Sequence, residues 1–407
     1  MENIKRSSFR LFAAMLMMLI WSCKEENGFN EPVSADKTKP GVITNIKVEN
    51  FNGGSYITYD LPKSENLLYV SAKYRINDKV VRETKASYYK DTIVVEGFAK
   101  AQEYSVTLHT VTRANVMSDP VEVKVHPLTP VYEYVQPSFK LGEDFGGINV
   151  QGLNPLKKEI GVILVAKDKS SGIMEVKDQF FTKDRSINYS VRGFESEAND
   201  FGVYITDRWG NISDTLKTNL TPLYEELADK SKFSVYNLTT DSPIGFGWVL
   251  PNLWNGNNDG DGWHTASGGH PPFVASFGIG KTYKLSRFML WERAGQYTYG
   301  LGNPKEFSLW GSNSDRPGEA QLPLVAPEGT QIGDWTNLGN YKFPDPPSGN
   351  RPGSTNSADE AFVKAGVNFN VSFNAPSVKF LRVSVSTTWG NSDAAHIIEM
   401  SVYGRPE

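Results

Sequence analysis

From Gly41 onward, apolar and polar residues alternate with a period of two. Ile46 and Val48 stand between polar neighbours, and Ile57 and Tyr59 follow the Gly53-Gly54 turn. Tyr104, Val106 and Leu108 repeat the pattern, as do Val121, Val123 and Val125. A period of two sends alternate side chains to opposite faces of a sheet. Short runs of this kind with turn residues between them predict a β-sandwich. A second strand-rich block contains the continuous apolar run Ile160 to Ala166 and the alternation Phe201, Val203, Ile205. Near the end, Val367, Phe369, Val371 and Phe373 alternate with Asn368, Asn370 and Ser372, and Leu381, Val383 and Val385 with Arg382, Ser384 and Ser386. These read as strands with one buried face.

The interruptions divide the chain. Pro127 and Pro130 predict a stiff joint between the first two blocks. Thr221-Pro222-Leu223-Tyr224-Glu225-Glu226-Leu227 has a capping threonine, a proline at the first helical position and early acids, which predicts a short linker helix. Asn313 to Gly366 holds seven prolines and little periodicity, as expected of a long functional or mobile loop. Asn252 to Thr265 packs Gly, Asn and Asp between Trp254 and Trp263, and its oxygen-rich side chains suit a hard cation or a sugar-binding loop.

Composition narrows the function. A length of 407 residues implies two to three domains. A net charge of −4 supplies no basic face for nucleic acid. The single cysteine, Cys23, makes an internal disulfide impossible. It follows the apolar run Leu11 to Trp21, which Lys5, Arg6 and Arg10 precede, in the manner of a secretory signal. Ile20-Trp21-Ser22-Cys23 resembles a bacterial lipobox, with a bulky Trp21. The resemblance implies cleavage before Cys23 and acylation, and several acyl chains give stable anchoring. Lys24-Glu25-Glu26 is similar to the export signal of Bacteroidetes surface lipoproteins. The implied location is the outer membrane, facing the cell exterior.

Gly97 to Val106 resembles the corner before a late strand of fibronectin type III domains, where a tyrosine hydroxyl caps a nearby backbone group. From Lys232 to Gly404 the order of elements resembles the discoidin, or coagulation factor 5/8 type C, domain. The carrying residues are Asn255-Gly256-Asn257, Trp263-His264-Thr265, Leu290-Trp291-Glu292-Arg293, Pro304 to Ser312, Trp335, Phe380 to Val383 and Ile398 to Gly404. Almost the whole mature chain is similar to Bacteroidetes lipoproteins associated with glycan uptake. The plan these resemblances imply is all-β. It comprises a signal peptide (1–22), a lipidated tether (23–40), a fibronectin type III-like domain (41–127), an Ig-like β-sandwich (128–220), the linker helix (221–231) and a discoidin-like jelly-roll sandwich (232–407).

The discoidin resemblance implies a structural calcium, with Asn255 and Glu399 at the family positions and Asp259 or Asp261 supplying a further carboxylate. Such loops also close on themselves through Asx-turns without metal. For sugar, the requirement is an aromatic face ringed by donors and acceptors. His264, Arg293 and Trp389 are the candidates, with Tyr297 and Tyr299 as a further platform. Trp263 reads as core, Trp389 suits either role, and Arg293 also suits a plain surface ion pair. No nucleophile elbow, Walker loop, zinc helix or dinucleotide glycine motif is present. The chain therefore reads as a non-catalytic glycan-binding lipoprotein of a polysaccharide-utilisation system. The other reading is a protein-interaction or adhesion subunit of an outer-membrane complex, such as a transporter.

Overall fold

A computed structural model describes residues 34–407. The expected signal peptide, the lipobox-like stretch ending at Cys23 and the expected export signal Lys24-Glu25-Glu26 lie outside the described residues. Among the described residues no helix is long and apolar enough to cross a membrane. The chain is all-β and forms three successive β-sandwiches with separate cores.

The first sandwich contains β1 (Thr44–Phe51), β2 (Gly54–Asp60), β3 (Leu67–Arg75), β4 (Val81–Ser87), β5 (Thr92–Glu96), β6 (Tyr104–Thr112) and β7 (Val121–Val125). Sheet β1-β2-β5 faces sheet β4-β3-β6-β7. The inward half of each alternation, including Ile57, Tyr59, Val106, Leu108, Val123 and Val125, makes the core between them. The expected tyrosine corner is present: the Lys100 backbone N–H donates to the Tyr104 hydroxyl at 3.1 Å.

A short helix, α1 (Val131–Val135), leads into the second sandwich. Its strands are β8 (Lys140–Asp144), β9 (Gly147–Leu153), β10 (Ile160–Lys167), β11 (Met174–Thr182), β12 (Ser186–Arg192), β13 (Asn199–Thr206) and β14 (Leu216–Leu220). Sheet β12-β9-β8 packs on β11-β10-β13-β14. The apolar run Ile160 to Ala166 is central strand β10, buried on both faces, which is why it does not alternate. The turn Asp207 to Asn211 reaches back to the first sandwich. The Asn211 amide donates to the Gly97 carbonyl at 3.1 Å, and the Trp209 ring fills the space a side chain would need at Gly97, whose φ of +96 also favours glycine.

The segment 221–231 is not the expected helix. Its backbone groups find partners on two sheets instead. Gly146 N–H donates to the Leu223 carbonyl at 2.7 Å, and Leu223 N–H to the Asp144 carbonyl at 2.9 Å. β15 (Glu226–Leu227) then pairs with the last strand through Gly404 and Tyr403. One isolated helical turn gains too few hydrogen bonds to offset its nucleation, so open strand edges win. A 3₁₀ turn at Lys230–Lys232 is the only helical piece there, and Asp229 caps it.

The third sandwich comprises β16 (Ser234–Val235), β17 (Trp263–His264), β18 (Phe273–Trp291), β19 (Pro304–Ser312), β20 (Gln331–Ile332), β21 (Trp335–Lys342), helix α2 (Ser357–Ala365), β22 (Val367–Asn370), β23 (Val378–Thr388), β24 (His396–Ile397) and β25 (Glu399–Pro406). The long strand β18 pairs with β23 early and with β22 and β25 late, so it serves both layers. The register breaks between Gly278 and Tyr283, where Gly280 has a φ of +86. The supposed loop Asn313 to Gly366 carries β20, β21 and α2. Asn356 and Asp359 form a capping box on α2, and Trp335 is fully buried.

A cluster of charges joins the second and third sandwiches. Glu225, nearly buried, accepts from Arg287 Nη2 at 2.9 Å and from the Ser286 hydroxyl at 2.5 Å. Arg192 of β12 approaches the same carboxylate at 3.5 Å and Asp144 at 3.8 Å. Such a mutually paired, poorly solvated network resists separation, because pulling it apart leaves buried charges unpaired.

Candidate functional site

The two-stranded ribbon of β17 and β24 sets His264 directly opposite His396. Above this pair lies a cavity of about 390 Å³. Phe246 and Trp248, from the loop before β17, form one wall. Arg293, Tyr297 and Leu301, from the loop after β18, form the other. Trp263, the neighbour of His264, points into the core, as the alternation along β17 requires.

The rings meet closely. His264 lies 4.4 Å from Phe246, 5.0 Å from His396 and 5.2 Å from Trp248, edge to face in the last case. The Arg293 guanidinium stacks 3.7 Å from the Tyr297 ring centre and 5.4 Å from that of Trp248. Its backbone is pinned, with Arg293 N–H donating to the buried Asn303 side chain at 2.9 Å and Asn303 Nδ2 donating back to the Arg293 carbonyl at 2.8 Å. The guanidinium itself has no carboxylate or hydrogen-bond partner among the described residues. The surface ion pair allowed by the sequence is not formed. Five N–H donors held on aromatic faces are therefore available to a ligand.

Both imidazoles are uncharged at neutral pH. Burial lowers the His264 pKa, and the nearby Arg293 charge adds to this. His264 Nδ1 lies 2.7 Å from the Thr265 carbonyl, which can only accept, so Nδ1 carries the proton and Nε2 is an acceptor. His396, 1% exposed, is pushed down to about 3 by burial, then by His264 and Arg293. Neither of its ring nitrogens has a partner among the described residues. Phe246 is 65% exposed and held at a φ of +59, and Leu301 on the opposite wall has a φ of +47. Left-handed backbone at bulky residues costs energy and collects at ligand sites.

Of the expected sugar-site residues, His264, Arg293 and Tyr297 come together here. Tyr299 does not: it is 1% exposed and packs edge-on against Trp389 at 5.0 Å. Trp389 turns away from the pocket, and its Nε1–H donates to Glu292 at 3.2 Å. Both rings complete the core, where their area is better buried than exposed. His270 is exposed and off the pocket. Sequence reasoning passed over Phe246, Trp248 and the role of His396. The signal was present in Gly245-Phe246-Gly247-Trp248, two aromatics in a glycine loop, the same feature that drew attention to Asn252–Thr265.

The expected calcium ligands do not fit a calcium ion. Glu399 is buried, and its Oε1 accepts from the Lys230 ammonium while Oε2 accepts from the Gly256 backbone N–H at 3.1 Å. A second cation there would face the ammonium. The loop closes by Asx-turns: Asn257 N–H donates to Asn255 Oδ1 at 2.7 Å, and Asp259 N–H to Asn257 Oδ1 at 3.0 Å. Asn255, Asp259 and Asp261 are exposed. Among the described residues no three His, Cys, Asp or Glu side chains gather in metal-binding geometry.

Three family models tile the chain, each described as a domain of unknown function: DUF4959 over residues 40–127, DUF5126 over 128–231 and DUF5000 over 252–404. No curated protein matches the chain. Among solved structures, the chain is similar to a SusE-like protein at 27% identity, over 68% of this chain and 100% of that one, with a TM-score of 0.42. It is also similar to a CBM32 module from a family 31 glycoside hydrolase of Clostridium perfringens, at 16% identity over 44% of this chain and 95% of that one, with a TM-score of 0.32. A third similarity is to a fragment of a chitobiase from Bacteroides thetaiotaomicron, at 18% identity over 45% of this chain and 94% of that one, with a TM-score of 0.30.

Proposed function

We propose that this chain is a non-catalytic, lipid-anchored surface protein that binds glycan through its third sandwich and serves a polysaccharide-uptake system. The observation that carries the reading is the Arg293 guanidinium, unpartnered and stacked between Trp248 and Tyr297 at the mouth of an aromatic pocket. A saccharide presents C–H faces for rings and hydroxyls for donors, and this pocket supplies both within one cavity. The His264 Nε2 acceptor completes the set. The lining also carries Ser267, Ser392 and one carboxyl, Asp393, with no second carboxyl among the lining residues to pair with it, and the ring-walled cavity is suited to recognition.

The test is affinity electrophoresis of the soluble chain in gels cast with plant, fungal and host polysaccharides. Arg293→Ala should weaken retention about tenfold or more, as expected for hydrogen bonds from a charged donor worth about 1.5–3 kcal/mol. The melting temperature should fall by no more than a few degrees, since only the contacts with the Tyr297 and Trp248 rings, worth about 0.5–1 kcal/mol, are lost. Undiminished retention by Arg293→Ala and by Phe246→Ala would sink the site assignment. The anchor is tested separately. Cys23→Ala should move the protein from the membrane fraction to the soluble one, and continued membrane retention would refute acylation at that thiol.

A further inference from the structure

A second cavity, of about 710 Å³, lies between the second and third sandwiches and is larger than the first. One wall is the outward face of sheet β12-β9-β8. There Asn188 stands opposite Gln151 and Ser190 opposite Asn149, so amides replace the usual mixture of charged and β-branched surface residues. They are ordered among themselves. Asn149 Nδ2 donates to Asn188 Oδ1 at 2.9 Å, and Gln151 Nε2 donates to Asn149 Oδ1 at 2.8 Å. That pattern leaves the Asn188 NH₂ and the Gln151 carbonyl oxygen without a protein partner among the described residues. Opposite Asn149 in the register is Gly142, over which the space is open.

The facing wall comes from the third sandwich. Phe373 is 59% exposed and its ring lies 5.8 Å from that of Phe145 across the junction. Tyr341 lines the same wall with its ring, while its hydroxyl is buried and without a partner among the described residues. The charges at the base of the cleft are already committed. Arg192 lies 3.5 Å from Glu225 and 3.8 Å from Asp144, and its Nη1 donates to Asn370 at 3.1 Å. Glu143 accepts from the Thr221 backbone N–H at 3.0 Å, which leaves Glu328 as the free acid at the rim. The same ion network holds the two walls at a fixed separation. What remains is a rigid cleft with amide donors and acceptors on one side and aromatic faces on the other.

We propose that this interdomain cleft is a second saccharide site, taking an uncharged oligosaccharide that lies along the amide face with one ring on Phe373. Hydroxyls match amides because both donate and accept, while Arg192 is already held by Glu225 and Asp144 and the acids Glu143 and Glu328 would repel an anionic sugar. The site is separate from the Arg293 pocket and draws on both sandwiches.

The experiment uses the full soluble chain carrying Arg293→Ala and Phe246→Ala, which removes the first pocket. Calorimetric titration with maltohexaose, cellohexaose, xylohexaose and mannohexaose should show binding of at least one. Adding Phe373→Ala should weaken it about tenfold, the loss expected for one stacking platform. Gly142→Trp should abolish it without unfolding, since a side chain there enters open space. No binding by any of the four probes overturns the proposal, as does binding unchanged by both added substitutions. So does blockage by Gly142→Trp of a protein partner's capture with hexasaccharide binding intact. Because the first pocket is absent from the background, failure here does not touch it.

Discussion

The loop from Arg293 to Asn303 has two sides built from similar parts and put to different use. Towards solvent, Arg293 lies on Tyr297 and Trp248 beside two histidines. Towards the core, Tyr299 lies on Trp389 beside the Glu292 carboxyl. Each side has packed aromatic rings around an ionisable group with unused hydrogen-bonding capacity. On the open side that capacity faces a cavity and can be filled by a ligand. On the closed side, Glu292 Oε2 and the Tyr299 hydroxyl are buried without partners and only cost stability. The same residue types thus make a site or a core according to solvent access. Asn303, bonded to both ends of the Arg293–Tyr297 turn, holds the division in place.

The largest effect that would break this comparison is at Trp389. Trp389→Ala should destabilise the third sandwich by about 3 kcal/mol, the lower end for loss of a packed Trp, since the ring is partly exposed and its loss strips Glu292 of its only donor among the described residues. The readout is the shift of one calorimetric transition, with glycan retention surviving in the protein that stays folded. An unmoved transition together with lost retention would make Trp389 the platform and reverse the two sides.

Which side a residue takes was only partly legible in the sequence. Strand positions were, because alternation is local: Val106, Leu108, Val383 and Val385 are buried as their periods require. Trp263 was read as core from the general burial of tryptophan, and it is. His264 and Arg293 emerged as candidates only through the family resemblance, which sets the first after a tryptophan and the second after a strand. His396 did not, since only the β17–β24 pairing brings it under His264. Trp389 and Tyr299 sit among turn residues, and nothing in their neighbours tells whether the turn faces water. The short helix expected at Thr221 failed likewise, because sheet edges remote in the chain captured its backbone.

A smaller effect separates the two sides by pH. His396 has a folded pKa of about 3, below its unfolded value of 6.5. Its contribution is therefore present above pH 6.5 and is lost as pH falls towards 3, amounting to about 2 kcal/mol by pH 5. Glu292 has the opposite sign. Burial raises its pKa well above 4.5, so its contribution is complete below 4.5 and is lost as pH rises through the folded value. In melting curves taken from pH 5 to 8, His396→Gln should flatten the acid side of the profile and Glu292→Gln the alkaline side. If each substitution leaves its side of the profile unchanged, the imidazole or the carboxyl is not buried as described.

The smallest expected effect concerns the other buried carboxylate of this rim. Glu292 and Glu399 are both almost wholly enclosed, yet Glu292 has one indole donor, whereas Glu399 has an ammonium and a backbone N–H. Burial raises the Glu399 pKa while Lys230 opposes it, so the charged form has a resident counter-ion. A cation that binds only the folded state raises stability in proportion to the logarithm of its occupancy. With Lys230 already on the carboxylate, millimolar calcium and EDTA should give melting temperatures within about 1 °C of each other, well below the several degrees that about 1 kcal/mol of binding confers. A calcium-dependent rise of several degrees would show that the ammonium yields its place, and Glu399 would then belong with Arg293 among the residues open to a ligand.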